Sequence, residues 1–193
     1  MAKGKLVLII GPSGVGKSVI LKALHEKHPE LHFPKSATTR SCREGEGDDL
    51  YHFVTNEEFD ALEAENKLLE WAVVHSGARY GTLVDEIIPF IEKEQVVVRE
   101  VDVQGFESIR SHQCFRGEDP PYLLQSIFIL PESKDQLIAH ITERAPIEEQ
   151  ELKRRIASME KELTYAEECT VQIVNKEGDL DGTIAQVETI LQS

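Results

Sequence analysis

Basic residues are scarce in this 193-residue chain: 21 Lys plus Arg stand against 35 Asp plus Glu, a formal net charge of −14. A deficit of that size argues against a broad nucleic-acid or anionic-membrane surface, so any anion the chain holds must sit in a local basic pocket. Cysteine is scarcer still. The three thiols, Cys42, Cys114 and Cys169, are odd in number and scattered, which does not build a disulfide framework and points to a reducing, cytoplasmic setting. No run of 18 apolar residues occurs, which excludes a membrane-spanning helix. Residues Met1 to Lys5 lead straight into an apolar segment without the marks of a secretory leader, again the expectation for a cytosolic chain. There is no internal repeat and no low-complexity linker, and the length fits one compact domain.

What is present is an alternation of short apolar runs with helical patterns. Lys5–Ile10, Val96–Val98 leading to Val101, Ser126–Leu130 and Thr170–Val174 are nearly unbroken apolar runs, the signature of strands covered on both faces in a parallel sheet. Helices are expected at 17–28, 57–66, 84–92, 104–111, 134–143, 148–168 and 180–191. Thr55-Asn56-Glu57-Glu58 supplies a capping box at the start of the second. Two stretches interrupt this α/β rhythm. Residues 35–91 are rich in Arg, Gly, Asp and Tyr, with strand-like pieces at Tyr51–Val54 and Leu69–Val74. Around 140–155, Ala145-Pro146 breaks a helical pattern.

Gly11-Pro12-Ser13-Gly14-Val15-Gly16-Lys17-Ser18 fits G-x-x-x-x-G-K-[ST] between a strand and a helix, the context in which that pattern has a mechanism. Glycines let backbone amides turn inward around a phosphate, and the helix N-terminus adds its positive end. Lys17 supplies a mobile cation, and the Ser18 hydroxyl is a ligand for Mg²⁺. Ser13, Gly14, Val15, Gly16, Lys17 and Ser18 are therefore the expected contacts of a nucleotide's phosphates. Thr38-Thr39-Arg40-Ser41-Cys42-Arg43, followed by Tyr51, places two guanidinium groups and a phenol in a non-helical stretch suited to a second phosphate.

Taken with Leu69-Glu70-Trp71, Tyr80-Gly81-Thr82, Glu100-Val101-Asp102-Val103-Gln104-Gly105 and Val174-Asn175, these segments make the chain resemble the guanylate kinases over nearly its whole length. The resemblance implies an α/β fold: a P-loop kinase core with a parallel sheet flanked by helices, plus a GMP-binding insertion and a lid. Its divisions would be a core of 1–34, 93–139 and 156–193, a GMP-binding region of 35–92, and a lid of 140–155. It implies reversible Mg²⁺-dependent transfer of the ATP γ-phosphoryl group to GMP, in a monomer or weak homodimer that binds neither nucleic acid nor membrane.

Carried over by position, Arg40, Arg43, Tyr51 and Tyr80 would hold the GMP phosphate, while Ser36, Glu70, Thr82 and Asp102 would surround guanine. Asn175 would lie on the adenine side. Lys17, Arg43 and the lid residues Arg144 and Arg155 would meet the transferring group, and His140 stands where the family has a further lid arginine. The chemistry of the base fits: guanine offers adjacent N1–H and N2–H donors that one carboxylate, Glu70, accepts together, and its O6 accepts from hydroxyls such as those of Ser36 and Thr82. The alternative in another class is a guanylate-kinase-like domain that holds phosphopeptides without catalysis. Such domains have typically lost the phosphate loop, and Lys17 and Ser18 tell against that reading.

Overall fold

The computed structural model describes residues 4–43, 46–47, 50–74, 77–144 and 148–193, and the side chains of His140, Glu143 and Arg144 lie outside that description. In chain order the elements are Lys5–Ile10 (β1), Lys17–Lys27 (α1), Ser36–Thr38 (β2), Tyr51–Phe53 (β3), Asn56–Ala64 (α2), Leu68–Val73 (β4), Arg79–Leu83 (β5), Ile88–Glu92 (α3), Val96–Glu100 (β6), Val103–Ser111 (α4), Leu123–Pro131 (β7), Lys134–Arg144 (α5), Glu149–Leu163 (α6), Val171–Asn175 (β8) and Leu180–Gln192 (α7).

Four apolar runs form one parallel sheet, in the order β6-β1-β7-β8. Every residue of β1 is buried, and the two-residue pleat divides it between two cores. Leu6, Leu8 and Ile10 pack on one face with Phe106 and Ile109 of α4 and Phe128 of β7. Val7 and Ile9 pack on the other with Ile20 and Leu24 of α1, Leu137 of α5, Met159 of α6, and Ile184 and Val187 of α7. That two-sided burial is why the sequence shows continuous apolar runs rather than alternation. Lys5, the polar exception, sends its ammonium to the Ile190 carbonyl (2.9 Å) at the end of α7 and to Gln125 Oε1 (3.0 Å), so its charge meets the negative end of a helix.

Residues 35–91 build a second sheet, in the order β3-β2-β5-β4, with β2 and β3 parallel and the other pairs antiparallel. The strand-like pieces anticipated there are β3 and β4. Their partners β2 and β5 show no strand signal in the sequence, because three residues and a Gly-containing polar stretch carry no period of their own. The capping box forms as expected: Thr55 Oγ1 accepts from the Glu58 amide (3.1 Å), and Glu58 Oε2 from the Thr55 amide (2.7 Å).

Two helices expected as single elements are divided. The 84–92 pattern is a 3₁₀ turn at Val84–Glu86 followed by α3, since Pro89 has no amide to return to the Asp85 carbonyl. The 148–168 pattern is α6 followed by a 3₁₀ segment, Thr164–Glu168. Among the described residues no helix is long and apolar enough to cross a membrane.

Candidate active site

Gly11, Gly14 and Gly16 all adopt positive φ, at 151°, 90° and 101°, which bends the loop between β1 and α1 into the open end of the parallel sheet. A side chain is excluded at two of them on steric grounds as well. A Cβ at Gly11 would stand 2.5 Å from the Ile129 carbonyl oxygen, and one at Gly16 would stand 2.8 Å from Asn175 Nδ2. Lys17 begins α1 and folds back over the loop, donating to the carbonyls of Gly11 (2.7 Å) and Pro12 (3.2 Å), with Glu100 Oε1 3.6 Å away. Ser18 Oγ donates to Glu100 Oε2 at 3.5 Å. Val15 is buried, and its carbonyl accepts from Asn175 Nδ2 (2.8 Å) while Asn175 Oδ1 accepts from Thr183 (2.9 Å). Asn175, expected beside adenine, is thus a strut that ties the phosphate loop to β8 and α7.

The second sheet organises the other half of the site along a single rung. Tyr51 on β3 is paired with Ser36 on β2, Ser36 with Thr82 on β5, and Thr82 with Glu70 on β4, so the four side chains project from one face. A β-bulge between Leu68 and Glu70 sets this register, and it lets Leu68 pack within the small sheet's core while Leu69 enters the large one. The Thr82 hydroxyl donates to Glu70 Oε1 in a short hydrogen bond. It has one proton, so while that bond stands Thr82 does not donate to a base carbonyl, the role expected of it, and Ser36 is left as the hydroxyl for that task. Glu70 is only 13% exposed. Burial raises its pKa, with the Thr82 hydrogen bond and the charge of Arg99 opposing the rise and Asp102 adding to it.

Arg40, Tyr51 and Tyr80 come together beside the Arg43 backbone amide, and what they surround is a carboxylate. Glu46 receives Arg40 through both terminal nitrogens (2.8 and 2.7 Å) and the Arg43 amide (3.0 Å). Arg40 Nε donates to the Tyr80 hydroxyl (3.0 Å), and its guanidinium lies 5.3 Å from the Tyr51 ring centre. The Arg40 side chain and the Arg43 amide together hold the Glu46 carboxyl down at about 2. The arrangement is an oxyanion grip with a tethered oxyanion in it. Arg40 and Arg43 line a cavity with Thr39, Ser41, Asn56 and Ala78, apart from the phosphate-loop cavity.

Asp102 stands at the end of β6 and caps α4, with Oδ1 accepting from the Gly105 amide (2.8 Å). Arg155 on α6 lies across from the phosphate loop, where it lines a small cavity with Ser13, Ile141 and Ser158, its Nε held by Glu151 (3.2 Å). The side chains of Arg144 and His140, expected on the donor side, fall outside the description. A residue that the sequence did not single out also belongs here: Arg99, on β6, reaches Ser36 and stands near Glu70. Sitting after Val96-Val97-Val98, it is the polar interruption of a core strand, which was the available signal.

The decisive geometric fact is that the two halves meet. One cavity of about 630 Å³ is lined by Gly11, Gly14, Lys17 and Ser18 on one side and by Glu70 and Asp102 on the other. Comparison with known proteins agrees with that pairing. The family model described as guanylate kinase matches residues 3–193. Guanylate kinases of Thermosynechococcus vestitus and Nocardia farcinica are each 39% identical, over 98% and 91% of this chain and 94% and 88% of their own lengths. The chain belongs to the guanylate kinase family. Within the family, the crystal structure of guanylate kinase from Anaplasma phagocytophilum shares the fold at a TM-score of 0.68, with 24% identity, 100% of this chain covered and 86% of that one.

Proposed function

We propose that this chain transfers the γ-phosphoryl group of ATP to GMP, giving ADP and GDP, with the phosphate loop as donor seat and the small-sheet rung as base reader. The observation that carries the reading is the shared cavity, in which Lys17 and Ser18 face the same space as Glu70. The chemistry asks for little covalent help. An ionised GMP phosphate oxygen attacks the γ-phosphorus, the bond to the β–γ bridging oxygen breaks, and the electron pair leaves on ADP. Catalysis is then positioning and charge neutralisation.

In this scheme the loop amides and Lys17 hold the β- and γ-phosphates, and Arg155 approaches from α6. Arg40, Arg43, Tyr51 and Tyr80 hold the GMP phosphate once Glu46 gives way. Glu70 accepts from the N1–H and N2–H of guanine, and Ser36 donates to its O6. The donor set beside the loop suits Mg²⁺, since Ser18, Glu100 and Asp102 offer only oxygen atoms, and Ser18 would be its direct protein ligand. When bound with ATP, Mg²⁺ would neutralise charge on the phosphate oxygens.

A coupled ADP-release assay tests the reading. With MgATP, GMP is expected to support turnover and AMP and UMP to give rates lower by about 10³-fold or more. Equal rates with all three acceptors, or none with GMP, would refute it.

The same reading divides the chain into a core of 1–34, 93–139 and 156–193, a GMP-binding region of 35–92 and a lid of 140–155. Each ligand would close the part that carries its own arginines. Hydrogen exchange is expected to show GMP alone slowing exchange in 35–92 and ATP adding protection in 140–155. Equal protection of both segments by GMP alone would contradict that order.

A further inference from the structure

We propose that Arg99 is a specificity-determining positioning residue, whose guanidinium fixes which atoms of the base pocket donate and which accept. The proposal rests on the reading of this site as a GMP site and extends it to a residue outside the rung.

Arg99 lies near the end of β6, the edge of the parallel sheet that faces the small sheet, and its side chain is 13% exposed. Nη2 donates to Ser36 Oγ (2.9 Å) and stands 3.8 Å from Glu70 Oε1, while Nη1 donates to the Pro34 carbonyl (3.3 Å). Nε is the buried side-chain polar atom that has no hydrogen-bond partner among the described residues. A buried guanidinium with an unsatisfied donor is a destabilising choice at a position that follows three valines, where an apolar side chain would fill the space. Its contacts with the two base-reading residues account for its presence.

Two consequences follow from the chemistry of the contacts. Arginine only donates, so Ser36 Oγ must accept from it, and the serine proton is left to be given outward, toward an acceptor such as O6. The positive charge also favours the ionised form of Glu70, which burial and Asp102 disfavour. Ionised, Glu70 accepts two N–H groups; protonated, it becomes a donor on one oxygen and clashes with guanine. Arg99 itself faces Glu70 on β4, Tyr51 on β3, its neighbour Glu100, and Glu86 of the 3₁₀ turn, and desolvation is the main effect opposing its charge.

The test uses two variants of similar length. Arg99→Gln retains a donor for Ser36 and removes the charge; Arg99→Lys retains the charge. Binding of GMP and AMP to wild type and both variants is measured by calorimetry from about pH 5.5 to 8, with thermal melting alongside to exclude loss of fold. The ratio of the two affinities cancels the ionisation of the nucleotide phosphate. For wild type the ratio is expected to fall only where the Glu70 carboxyl takes up its proton, toward the acid end. For Arg99→Gln that fall should begin at higher pH and leave the ratio about tenfold or more below wild type at the acid end, and Arg99→Lys should restore the wild-type profile. A Gln variant with the wild-type ratio at every pH, or a Lys variant that behaves as Gln does, would overturn the role of Arg99. A wild type with no preference for GMP would instead overturn the reading of the site, and Arg99's role with it.

Discussion

Lys17→Ala is expected to lower turnover by at least about 10²–10³-fold while GMP affinity stays within about twofold of wild type. The side chain is 10% exposed and wraps the phosphate loop, with its ammonium on the Gly11 and Pro12 carbonyls and beside Glu100. Those carbonyls and that carboxylate hold the cation where donor phosphates would enter, and alanine leaves them facing the incoming negative charge unopposed. The GMP phosphate grip at Arg40 lines a different cavity, so acceptor binding has no reason to change. Single-turnover kinetics and GMP calorimetry on the variant separate the two effects. Wild-type turnover would remove Lys17 from the mechanism, and a parallel loss of GMP affinity would mean that the variant has disturbed the loop as a whole.

Glu70→Gln is expected to reduce kcat/KM for GMP by about 10²-fold or more and to leave the small AMP activity nearly unchanged, narrowing the preference from one side only. The amide offers one acceptor where guanine presents two donors, and its NH₂ group meets N1–H or N2–H head on. It also loses the charge that now meets Arg99. The sign of the pH effect is fixed as well. Burial raises the Glu70 pKa, and the ionised form is the one that accepts from guanine, so wild-type GMP affinity is lost as pH falls through a value above the ordinary carboxylate range. That dependence disappears in the Gln variant after correction for the phosphate of GMP. An unchanged GMP-to-AMP ratio would assign base reading to another side chain.

The parts of this site that were legible in the sequence are those whose chemistry is local. The phosphate loop declares itself because eight consecutive residues form it, and β1 and the middle of β7 because burial on both faces leaves an unbroken apolar run; β6 and β8 show shorter apolar runs with less burial. The rung was legible only through resemblance. Nothing in the spacing of residues 36, 51, 70 and 82 says that they are neighbours across four strands, since register depends on a bulge at Leu69 and on strands too short to show a period. Three findings needed the folded chain. Glu46 closes on Arg40 across a loop, Thr82 turns its proton to Glu70, and Asn175 braces Val15 from 160 residues away. Hydrogen-bond direction is set by whichever partner the fold delivers, and the partner is not encoded in the residue.

The pairing order of the large sheet bears on how the chain is made. β1 has its strand partners at Val96–Glu100 and Leu123–Pro131, so until those segments have been synthesised the most apolar strand has no edge to join. The small sheet, by contrast, finds all its partners between residues 36 and 83, a much shorter span to close. On the ribosome the acceptor half of the site can therefore assemble while the nucleotide loop is still unstructured, its glycines tethered to a strand awaiting neighbours. Throughout that interval Leu6 to Ile10 is an unpaired apolar strand, the kind of edge that aggregates.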